Sequence, residues 1–69
     1  MYVGNPYFDA LEAKYIADIK EAQAVLQTYF QNSVGIGEHS DLLPEFDKWV
    51  AQLAEAQDKL KALRGLLKR

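Results

Sequence analysis

Large apolar residues fall at Phe8, Leu11, Tyr15, Ile19, Leu26 and Tyr29, with Ala22 filling the gap. Steps of three, four and seven draw one stripe down an α-helix. Asn5-Pro6 supplies its start: an Asn side chain caps free amides, and Pro is pre-set for the first helical position. From there to about Asn32 no Gly or Pro interrupts, and the predicted helix is roughly 40 Å long. Ala10, Ala13, Ala17 and Ala24 lie beside the stripe, small enough to let another helix approach closely.

Ser33 to Ser40 breaks the pattern. Gly35 and Gly37 can take the positive φ that ends a helix. Val34 and Ile36, apolar in a connection, are expected to fold back over the end of the pair. A second helix opens at Ser40 or Asp41, either of which can cap, with Pro44 tolerated in its first turn. Phe46, Trp49, Leu53, Ala56, Leu60, Leu63 and Leu67 then step three, four, three, four, three, four, an unbroken heptad seam. Glu55 and Lys59 form an i,i+4 pair in the favoured orientation, Asp58 sits three before Lys61, and Gly65 weakens the last turn.

The expected fold is therefore all-α: a two-helix antiparallel hairpin, about 6–32 and 41–67, in a single domain 1–69 with a short N-terminal arm, 1–5. Two rods of this length can cover only one side of each other. A chain of 69 residues buries only roughly 60% of its unfolded surface. With no Cys, disulfide staples are excluded. Packing of copies into a helical bundle, a homo-oligomer, is the remaining way to cover the exposed side of both seams.

Composition narrows the function. A net charge of −2 with both signs interspersed is not the footprint of a DNA or RNA binder. The basic cluster Lys59, Lys61, Arg64, Lys68 and Arg69 suits the C-terminal end of a helix dipole. No apolar run approaches the roughly 20 residues that span a bilayer, and the start of the chain has no signal-peptide pattern. A cytoplasmic location is expected.

No catalytic constellation emerges. His39 is the only His, and without Cys a nucleophile–base pair would rest on it alone. Glu38-His39-Ser40-Asp41 could supply metal ligands, but ligands crowded into one loop rarely converge. Val34-Gly35-Ile36-Gly37-Glu38 lacks the Lys-Ser/Thr of a phosphate loop. Asp9, Glu12, Asp18, Glu21 and Glu45 read as solvated carboxylates on outward faces. No enzyme, cofactor or metal is expected.

The aromatics carry more information. Tyr2, Tyr7, Phe8 and Tyr15 cluster in the first fifteen residues, with Lys14 and Lys20 on the same helix. A hairpin core does not obviously need Tyr2 or Tyr7. Their rings can stack on a base while Lys14 or Lys20 neutralises a phosphate; alternatively they pack between protomers, where Tyr is enriched.

Ile16-Ala17-Asp18-Ile19-Lys20-Glu21-Ala22-Gln23 with Leu26, the turn Asn32-Ser33-Val34-Gly35-Ile36-Gly37-Glu38-His39-Ser40, and Phe46 to Leu63 with Leu53-Ala54-Glu55-Ala56 resemble small phage-encoded helical hairpins. The plan is similar to the hairpin domain of phage sponge proteins, which counter cyclic-oligonucleotide and Thoeris-type immunity. The resemblance implies a non-enzymatic oligomer that sequesters a nucleotide-derived signal, a cyclic nucleotide or an ADP-ribose derivative, in the host cytoplasm. It assigns Tyr7 to stacking and Lys14 or Lys20 to the phosphate. The alternative is a structural or adaptor bundle protein that binds a protein partner and no small molecule.

Overall fold

The computed structural model describes residues 4–31 and 42–67. They form two α-helices, α1 (Pro6–Gln31) and α2 (Leu42–Gly65). Asn5 caps α1 as its side chain suggests: Oδ1 accepts hydrogen bonds from the amides of Tyr7 at 2.8 Å and Phe8 at 3.2 Å. Gly4, at φ +83°, turns the chain into that cap in a conformation that glycine adopts without a Cβ penalty. At the other end, α2 tightens after Leu63: the amides of Leu66 and Leu67 reach carbonyls only three residues back, at 3.1 Å each. The helix stops at Gly65, where the sequence is weakest. The expected connection, the caps at Ser40 or Asp41, and the metal-ligand candidates Glu38 and His39 lie outside the described residues.

The helices run antiparallel. Near one end the Phe46 ring meets Tyr29 edge-on at 5.2 Å and stacks on Phe30 at 4.9 Å. At the other, Arg64 Nε donates to Glu12 Oε2 at 3.0 Å. Between them Lys59 lies over the Tyr15 ring at 5.7 Å. These contacts fix the register: each seam residue of α2 sits level with one of α1, so that Ala56 falls opposite Ile19 and Ala22 opposite Leu53. Ala22 is fully covered and Ala56 nearly so, each small side chain receiving a large one from the facing helix.

All seven residues of the α2 heptad are buried or half-buried, as their spacing requires. On α1 the stripe differs at one place. Glu12, expected on an outward face, takes the seam position between Phe8 and Tyr15, while Leu11 turns out and is 39% exposed. A strict four-three alternation from Phe8 (Phe8, Glu12, Tyr15, Ile19, Ala22, Leu26, Tyr29) keeps facing a straight partner, and Leu11 falls off it. The Ala residues beside the stripe, 10, 13, 17 and 24, are exposed.

The result is a rod of 51 × 15 × 14 Å. Its radius of gyration, 15.8 Å, exceeds the roughly 11 Å of a compact chain of this length. It exposes 5270 Å² where a compact monomer of 7.8 kDa exposes about 4,400 Å². Only Phe8, Ala22, Leu26, Ala56 and Leu63 are buried among the described residues.

Candidate functional site

The plane through both helix axes divides the rod into two broad faces. On one, Ile19, Gln57, Leu60 and Arg64 line a common hollow. Ile16, Gln23 and Phe30 of α1 and Leu43 and Val50 of α2 share the helical rows that flank the seam on this side. On the opposite face Asp18, Glu21, Gln52, Glu55 and Lys59 meet, and Tyr15, Lys59, Ala62, Leu63 and Leu66 line a second hollow.

The exposed apolar side chains concentrate at opposite ends of these two faces. Where α1 finishes and α2 begins, Leu43, Phe46 and Val50 follow one another at steps of three and four along α2, and Phe30 stacks on Phe46. Phe30 is 64% exposed, Leu43 73% and Val50 48%. Together the four make one uncharged patch. At the terminal end of the other face, Tyr7, Leu11 and Tyr15 run at steps of four along α1, and Leu66 shares a hollow with Tyr15. Tyr7 is 81% exposed, and Leu66 is also exposed.

Between the patches the surface is charged and solvated. Lys14 donates to Asp18 at 3.0 Å and Lys59 pairs with Glu55 at 3.2 Å, the pair expected from spacing. The hydrogen bond to Asp18, with the negative charge of that carboxylate, holds the Lys14 ammonium above its ordinary pKa. Among the described residues the Glu12–Arg64 pair links the helices, and it remains partly exposed on both sides. Among the described residues no polar or charged side chain is buried, and no group of three or more His, Asp or Glu converges as metal ligands. No described helix is long and apolar enough to cross a membrane.

The residues singled out from sequence are spread out. Tyr2 lies outside the described residues. Tyr7 and Lys14 stand on one exposed row of α1, two turns apart or about 10 Å along its axis. Lys20 is a further turn and two thirds away and points about 120° around the helix from Lys14, and Asp18 already engages Lys14. The open hollow of about 230 Å³ near Lys14's partner is lined by Asp18, Glu21 and Glu55 against one Lys59, a balance that repels anions. Phe30, Leu43 and Val50, the most coherent exposed group, carried no weight in the sequence reading. Their signal was present: Leu43 and Val50 are seven apart, each three residues before a seam residue. Comparison with known proteins returns no matching family model, no matching curated sequence and no matching solved structure.

Proposed function

We propose that the protein is a non-enzymatic association module, a helical hairpin that acts by packing its exposed apolar faces against other helices. The observation that carries this reading is the pair of uncharged patches, Phe30–Leu43–Phe46–Val50 and Tyr7–Leu11–Leu66, on a rod with little buried interior of its own. Contiguous exposed apolar surface marks places where chains meet. The chemistry of the surface agrees. Catalytic groups gain altered pKa values from burial, and here every described titratable side chain is at least partly solvated. Sedimentation and thermal melting from about 1 µM to about 1 mM test the proposal, because assembly makes the melting temperature depend on concentration. A folded single subunit with an invariant melting temperature, and no protein that binds it, overturns it.

One observation favours a second reading. The Tyr7 ring stands in solvent while its neighbour Phe8 supplies the core, so Tyr7 is available to stack on a base with Lys14 or Lys20 near the phosphate. In that reading the hairpin is a phage counter-defence sponge that sequesters a cyclic nucleotide or ADP-ribose-derived signal between protomers. Calorimetry with a panel of both ligand classes should give heat that Tyr7→Ala removes. No heat at high protein concentration sinks it.

A further inference from the structure

Resting on the association reading, we infer that the partner for the Phe30 face is a second copy of this chain, docked with both inter-helix ends together. The inference comes from the order of residues along that face. Running from the inter-helix end, α1 presents Phe30, Gln23, Ile16 and Asp9 in its flanking row. At matching heights α2 presents Leu43, Val50, Gln57 and Arg64, the register being fixed by the Tyr29–Phe46 and Glu12–Arg64 contacts. A two-fold axis parallel to the rod lays α1 of one copy over α2 of the other. It then sets Phe30 against the partner's Leu43, Gln23 against the partner's Val50, and Ile16 against the partner's Gln57. At the terminal end Asp9 meets the partner's Arg64. Every pair occurs twice. Apolar groups meet apolar groups at one end, and opposite charges meet at the other.

The reverse docking, with one copy turned end for end, lays like helix on like helix. Phe30 then faces the partner's Asp9, and Leu43 faces the partner's Arg64. Burying a charge against an apolar side chain carries a desolvation cost with no compensating partner. Both dockings make every neighbouring helix antiparallel, as in an up-and-down four-helix bundle, so the order of apolar and charged residues along the face decides between them.

Two measurements test this. Leu43→Lys adds charge at a side chain already 73% exposed in the single chain, so helix content by circular dichroism should hold while the dimer weakens about 100-fold or more. Leu43→Met should retain the dimer, and Leu66→Lys, on the opposite face, should leave it unchanged. Since the chain has no Cys, Gln31→Cys places one spin label per copy at the inter-helix end. Labels about 20 Å apart support the docking, and labels about 40 Å apart, as end-for-end packing demands, overturn it. Dissociation by Leu66→Lys with none by Leu43→Lys also overturns it, while leaving the association reading intact. If the chain is a monomer at all concentrations and Leu43→Lys changes its melting temperature equally at each, both the dimer and self-assembly fail.

Discussion

Glu12 stands where the heptad spacing of α1 calls for an apolar side chain, and Arg64 holds it there across the helix pair at 3.0 Å. Half of the Arg64 side chain remains in water, so the pair adds little stability and instead fixes which residues face each other. Glu12→Leu should therefore stabilise the hairpin by about 1 kcal/mol through apolar burial, leaving Arg64 hydrated, as urea unfolding would show. A loss of stability instead would mean that the ion pair outweighs the missing apolar contact. By size alone Leu11 suits the stripe better than Glu12. Only the neighbouring helix distinguishes positions 11 and 12, because both lie within the same arc of α1 and the facing seam selects one.

The two helices differ in how plainly the sequence announces them. The α2 seam has seven apolar residues in strict alternation, and all seven are covered. In α1 the start is written in Asn5 and Pro6, and the cap forms with the amides of Tyr7 and Phe8. The end of α2 follows from Gly65, whose flexibility in the unfolded chain weakens the last turn. An added Cβ at Gly65 meets nothing within 4 Å, and its φ is not positive. Gly65→Ala should accordingly raise stability by about 0.5–1 kcal/mol and lengthen α2, measurable as higher ellipticity at 222 nm and a higher midpoint in urea. The flanking rows were harder to read than the seams. Val50 and Leu43 are ordinary apolar residues in sequence, and nothing local tells whether a flank faces solvent, the sister helix or another chain.

As a whole the molecule is a thin rod with uncharged patches at opposite ends of opposite faces. Association driven by such patches responds to salt in a characteristic way. Sodium chloride near 1 M should leave assembly nearly intact, and sulfate should strengthen it, because excluded salts favour apolar burial while screening acts only on charge. A phosphate grip through Lys14 or Lys20 would weaken steeply over the same range. Sedimentation in the two salts separates the cases. Periodicity alone determined the all-helical class, the two helices, the α2 seam and the Asn5 cap, since each depends on residues within a few turns of one another. The tertiary pairing decided the rest: Glu12 in the seam and Leu11 out of it, and the level pairing of Phe30 with Leu43 and Asp9 with Arg64. Those depend on the height and rotation of one helix against the other, which are set by the fit of Ala22 and Ala56 beneath large side chains and by ring contacts between residues far apart in the chain.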